Sequence, residues 1–138
     1  MCIRDRNSRN LTIASTTGHC ETVNYSGDYP GQESIRLLEH TPIIIKNLAD
    51  SSSLQNVDLL IIGDAWAEFE TEEIESVRQF VVNGGTLFLT GLFWSWEQYS
   101  KPEVNQYNPC RGTSKHRKLA QDEFPMNTLG KTLGLKFE

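Results

Sequence analysis

Two short apolar runs flanking a single amphipathic helix constrain this chain more than any other feature. Val57-Asp-Leu-Leu-Ile-Ile62 is almost entirely apolar, as a strand is when both faces of its sheet are covered, and such strands belong to parallel sheets. Thr86-Leu-Phe-Leu-Thr90 has the same character. Between them, Ile74, Val77, Phe80 and Val81 fall on one helical stripe. Thr71 is placed to cap that helix, Glu72 and Glu73 suit the positive end of its dipole, and Asn83-Gly84-Gly85 supplies a left-handed stop. A unit of this kind closes with a right-handed crossover. The two strands are therefore expected side by side and parallel, with Leu59, Ile61, Leu87 and Leu89 buried.

The rest of the chain extends the alternation. Leu11 to Ser15 reads as a buried strand running into the small and polar Thr16-Thr-Gly-His19. Gln32 to His40 reads as a short helix with Ile35, Leu37 and Leu38 on one greasy face, and Pro42 to Lys46 as a β-branched strand before the turn-rich Ala49 to Ser53. From Glu97 to Glu123 the pattern fails, with Pro102, Pro109, Gly112 and the basic run Lys115-His-Arg-Lys118, so a long polar loop over 97–123 is expected. Asn127 is read as the cap of a last helix through Leu129 and Leu133, stopped by Gly134, with Leu135 to Phe137 beginning a further strand. The order strand, helix, strand, strand, helix, strand, helix, strand predicts an α/β fold, a flavodoxin-like three-layer sandwich around a mostly parallel sheet.

Length and composition exclude several classes of function. At 138 residues the chain is one domain's worth. Its 38% apolar and 22% charged residues are ordinary globular usage rather than that of a disordered chain. The apolar runs 41–45 and 57–62 are far shorter than the roughly 18 residues a membrane span needs. Thirteen basic against eighteen acidic residues leave a net charge of −5, which disfavours nucleic acid and anionic lipid as partners. The opening Met1-Cys2-Ile3-Arg4-Asp5-Arg6 resembles a translated sequencing adapter. Residues 1–6 are set aside as a non-native leader expected to make no core contact. That leaves 10–138 as one domain, read as truncated and lacking its true N-terminus. Cys20 and Cys110 stand in no spacing that marks zinc. Two free thiols are the default reading, and a disulfide is the alternative in an oxidising compartment.

Ligands of open parallel sheets bind outside the carboxyl ends of the strands. That rim gathers Gly18, His19, Cys20 and Glu21 after the first strand, Asp64 and Trp66 after the third, and Gly91, Trp94 and Trp96 after the fourth. The candidate binding residues are Gly18, His19, Glu21, Asp64, Trp66, Gly91, Trp94 and Trp96. Tryptophan rings stack well on a sugar or another flat ligand, while the spacing of Trp94 and Trp96 sends at least one of them into the cover of the sheet. Asp64 is read either as a ligand-binding acid or general base, or as the cap of the following turn. Adjacent side chains at His19, Cys20 and Glu21 point apart and lack metal-ligand spacing, so neither a metal nor a cofactor is expected. Lys115 to Lys118 is read as a solvated loop cluster.

Asp58-Leu-Leu-Ile-Ile-Gly-Asp-Ala-Trp66, Thr71-Glu-Glu-Ile-Glu75, Phe80-Val-Val-Asn-Gly-Gly85, the Gly91 to Trp96 turn and Phe124-Pro-Met-Asn-Thr-Leu129 with Gly134 together resemble class I glutamine amidotransferase-like domains. The resemblance is to the non-catalytic variety found with M60-like peptidases and related extracellular or surface proteins. It covers residues 56 to 137 well and the first half by strand order. Catalytic members carry a nucleophilic cysteine in a tight Gly-x-Cys-x-Gly turn, where a thiolate is exposed near backbone donors. The matching Thr90-Gly-Leu-Phe-Trp94 has neither Cys nor Ser. The resemblance thus implies a non-catalytic binding or interaction module of a larger protein, with carbohydrate, protein or a neighbouring domain as partner and extracellular or surface attachment. The alternative it offers is a hydrolase akin to the trehalose-utilisation branch, using Asp64 with His19 and Glu21.

Overall fold

A computed structural model describes residues 9–23, 30–101, 110, 120 and 122–138. The leader 1–6 and the basic run Lys115–Lys118 lie outside the described residues. Strands β1 (Thr12–Thr16), β2 (Thr41–Ile45), β3 (Leu59–Gly63) and β4 (Thr86–Thr90) form one sheet in the order β2-β1-β3-β4, all parallel. With helix α1 (Pro30–Leu37) between β1 and β2 and α2 (Thr71–Val82) between β3 and β4, this is a flavodoxin-like α/β fold.

The register assigns residues to the two faces. Ile13, Leu59 and Thr86 stand level across three strands, as do Ser15, Ile61 and Phe88. The opposite face carries Ala14, Ile45, Leu60 and Ile62, which join Val77 and Phe80 of α2 in the main core. Leu59 and Ile61 do lie in a strand parallel to Leu87 and Leu89, but only Ile61 is buried and the other three are half-buried. Leu87 and Leu89 are on β4, which among the described residues is flanked by a strand on one side only. Leu59 opens onto a groove of about 610 Å³ at the amino ends of the strands, beside Leu54 and Phe80.

Helix boundaries depart from the sequence reading where local chemistry is richer than the pattern. Thr71 is the first helical residue of α2, and Glu70 occupies the cap, its N–H donating to Glu73 Oε2 at 2.8 Å. Gly84 stops the helix at φ +93, a conformation that costs glycine nothing. Of the three residues expected on the greasy face of α1, Ile35 is half-buried, whereas Leu37 and Leu38, the latter just past the helix, are exposed.

The aromatic turn and the start of the expected loop are a helix, α3 (Phe93–Tyr99). Phe93 and Trp96, one turn apart, both pack on Phe124, with ring centroids at 5.8 and 5.5 Å. The last helix, α4 (Pro125–Lys131), starts at Pro125, whose fixed φ suits a first turn, so Asn127 is inside it rather than capping it. Asn127 instead clamps Phe137. Its Nδ2 donates to the Phe137 carbonyl at 3.0 Å and its Oδ1 accepts the Phe137 N–H at 2.6 Å. Residues 135–137 therefore do not enter the sheet as the expected strand.

Candidate functional site at the carboxyl rim

The rim is assembled by close backbone approach. Gly63 ends β3 where a Cβ would lie 2.0 Å from the Val23 carbonyl oxygen, so only glycine lets the first loop lie down on β3. That loop is stitched on by Val23 N–H to Gly63 O at 3.2 Å and Thr22 N–H to Asp64 O at 3.2 Å. In return the His19 carbonyl accepts the N–H groups of Trp66 and Ala67 at 2.9 and 3.0 Å.

Asp64 ties all three rim segments together. It adopts φ +55, a left-handed conformation that Asp tolerates better than most residues. Its Oδ1 accepts the Leu92 N–H at 2.8 Å, and its Oδ2 accepts Trp66 Nε1–H at 3.0 Å and the Thr22 hydroxyl. The carboxylate is fully buried and serves donors from the first loop, the β3 exit and the β4 exit.

His19 organises a second buried cluster. Its Nε2 bonds Glu73 Oε2 at 2.9 Å, its Nδ1 lies 3.8 Å from Glu21 Oε1, and its ring stacks on Phe69 with centroids 4.2 Å apart. The His19 backbone N–H also donates to Glu21 Oε2 at 2.8 Å. Burial pushes the Glu21 carboxyl up, but the bonds it accepts, those from His19 foremost, outweigh burial and hold it below its ordinary 4.5. A carboxyl lowered on folding stabilises the fold above its unfolded pKa and loses that contribution as pH falls through the folded value. Glu21→Gln is therefore expected to flatten the acid limb of stability below about pH 4.5. Urea midpoints measured against pH for both chains check this, and parallel acid limbs would remove Glu21 from the acid response.

Cys110 and Ala120, which follow α3, are bonded to the same rim. Cys110 forms a disulfide with Cys20, Cα to Cα 4.8 Å, so the default reading of two free thiols is corrected. Ala120 donates its N–H to the Trp66 carbonyl at 2.8 Å and accepts Trp96 Nε1–H at 3.1 Å. Two residues distant in sequence from β1 and β3 thus lie directly on their exits.

The eight expected rim residues divide by exposure. His19, Glu21, Asp64, Trp66 and Trp96 are buried, Gly18 and Gly91 are half-buried, and Trp94 is 60% exposed. His19 and Glu21 are brought together, while Asp64 engages Thr22, Trp66 and Leu92 instead. Trp96 supplies the ring that the spacing sends into the core. Gly91 and Leu92 connect β4 to α3, with Leu92 at the cap of that helix. Sequence reasoning read Glu73 only as a dipole partner, and with Glu70 rather than Ser, Thr, Asp or Asn three residues before it the spacing carries no capping-box signal that would have marked it. Nothing in the spacing singles out Cys110. The chain matches no protein-family model and no curated protein.

Proposed function

We propose that the chain is a non-catalytic binding or interaction module of amidotransferase-like kind, presenting its carboxyl rim to a carbohydrate or protein ligand. The observation that carries this reading is the orientation of the rim's chemistry. The carboxylates of Glu21, Asp64 and Glu73 and the imidazole of His19 are buried in bonds to one another or to neighbouring segments. The connection where a nucleophile would stand carries Leu92, and Trp94 beside it offers an exposed indole. Such a ring is the usual anchor of a binding surface. The Cys20–Cys110 disulfide supports a working place in an oxidising compartment, in keeping with a surface-attached protein.

One observation favours the hydrolase reading through Asp64, His19 and Glu21, namely that His19 and Glu21 are adjacent. An array of oligosaccharides probed with the purified chain, alongside glutamine and ester turnover assays, separates the two. The module reading expects no turnover and binding to one saccharide class, weakened by about 2 kcal/mol, roughly 30-fold, in Trp94→Ala. Turnover abolished by Asp64→Asn would establish the hydrolase instead, and saccharide binding indifferent to Trp94→Ala would remove the indole from the ligand surface.

A further inference from the structure

We propose that Asn10 is the acceptor of an N-linked glycan, added as the chain passes through the oxidising compartment in which the Cys20–Cys110 bridge forms. The modification goes beyond the binding reading and does not depend on what the rim binds. It rests first on the sequence. Asn10-Leu11-Thr12 is an Asn-x-Thr triplet without proline at its middle position, the signal read by the transferase that glycosylates secreted chains. The second argument is the compartment. Disulfides form and persist along the secretory route, where that transferase also works, and are rare in a reducing cytosol. Cys20 and Cys110 are joined across 90 positions of sequence. A chain that acquires this bridge during secretion has therefore also been presented to the transferase.

The third argument is where the fold puts the amide. Asn10 is exposed and lies on the lead-in to β1, two residues before the strand begins at Thr12. Its Oδ1 accepts the Thr41 hydroxyl at 3.1 Å on the surface. A glycan is carried on Nδ2, so that oxygen keeps its contact with Thr41 after modification. Thr12 is docked through its backbone, its N–H donating to Asp58 Oδ2 at 2.8 Å and its carbonyl accepting the Asp58 N–H at 2.9 Å. A sugar two residues upstream leaves both bonds in place. At about 3.3 Å per residue, the five residues of β1 set Asn10 more than about 15 Å from the carboxyl rim. The glycan thus stands at the opposite end of the sheet, and the rim stays open.

The transfer balances without an oxidant or a reductant. Asn10 Nδ2 gives up one proton and bonds to the anomeric carbon of an oligosaccharide carried on a lipid pyrophosphate. The bond from that carbon to the pyrophosphate oxygen breaks, and the departing lipid pyrophosphate keeps the electron pair. The Thr12 hydroxyl is the part of the signal that a strand does not require, because β-branched shape alone suits the position.

Secretion of the chain from a eukaryotic cell, behind a cleavable leader, tests the proposal. The chain has one other triplet of this kind, Asn24-Tyr25-Ser26, which lies outside the described residues, so every arm is made in an Asn24→Gln background. The expected product is a heavier band that peptide N-glycosidase returns to the mass of the bare chain, leaving aspartate at position 10 in the peptide map. Asn10→Gln should abolish the heavier band. Thr12→Val, which keeps the shape but removes the hydroxyl, should abolish it too, while Thr12→Ser should retain it. Transfer acts on the extended chain, so the band is read in the cell extract even for a variant that folds poorly. A secreted chain of unmodified mass, or a heavier band that survives Asn10→Gln or Thr12→Val, would overturn the proposal.

Discussion

His19→Ala is expected to lower the unfolding free energy by about 3 to 5 kcal/mol, which is the usual loss when a buried carboxylate is left without its partner. Against the roughly 5 to 15 kcal/mol that holds an ordinary domain together, that is at least about a fifth of the total. The residue faces the carboxylates of Glu73, at 2.9 Å, and Glu21, at 3.8 Å, and all three side chains are at most 1% exposed. Without the imidazole, two carboxylates share an interior that water does not reach, and Phe69 loses the ring stacked on it.

The mechanism can be separated from simple loss of packing. Glu73 Oε2 also accepts the Glu70 N–H that begins α2, and glutamine at this position keeps an acceptor there while removing the charge. If the cost comes from stranded charge, adding Glu73→Gln to His19→Ala recovers part of it, and the double-mutant cycle shows coupling well beyond additivity. Urea unfolding of the four chains measures this. A loss below about 1 kcal/mol for His19→Ala, far short of the cost expected for a buried pair, or strictly additive losses, would mean that the cluster is incidental to the fold.

The parts of the fold that were legible in the sequence are those in which one signal dominates. The runs Val57 to Ile62 and Thr86 to Thr90 supply β3 and β4 because runs of that length and apolarity have few other uses, and the stripe from Ile74 to Val81 between them could hardly be anything but α2. Parallel order followed from alternation alone. The misreadings occur where two signals compete. Phe93 to Tyr99 has the aromatic content of a turn or a ligand platform, and it forms a helix because Phe93 and Trp96 share a face that Phe124 covers. Asn127 is a good cap by residue type, but Pro125 starts the helix first and leaves the amide free to clamp Phe137.

At the rim, the sequence could name the residues that converge on the strand exits, because topology decides that. Whether they face a ligand or one another depends on contacts too long-range to leave a pattern. Glu73 reaches His19 across 54 positions and Thr22 reaches Asp64 across 42. The polar segment after α3 has the composition of a free loop, and two of its residues, Cys110 and Ala120, are nevertheless bonded to the exits of β1 and β3 and to Trp96.

Removing the fastening at Cys110 should cost nearly as much as removing His19. Cys20→Ser with Cys110→Ser is expected to destabilise the chain by about 2 to 5 kcal/mol, the range seen when a native disulfide is lost. The bond joins residues 90 apart, and on the loop-closure account a ring of that size confines the unfolded chain enough to place the effect near the upper end, about 4.6 kcal/mol. Cys20 also sits at φ +56, a conformation that a side chain with a Cβ visits at a cost, so the crosslink adds to what holds the first loop over β3. The strand pairing of β1 to β4 is made by backbone bonds, and Leu60, Ile62, Val77 and Phe80 pack the sheet in a core that Cys20 and Cys110 also join. Far-UV circular dichroism of the double variant should therefore be native in dilute buffer while its urea midpoint falls. A dithiol should lower the wild-type midpoint to the same value and leave the variant where it is. The Ala120 bonds to Trp66 and Trp96 survive reduction in principle, so the indole emission of the reduced chain shows whether they hold the segment unaided. An identical midpoint with and without the bridge would mean that the unfolded chain gains no freedom on its removal, and the rim would then be held by its hydrogen bonds, those of Asp64 and His19 among them.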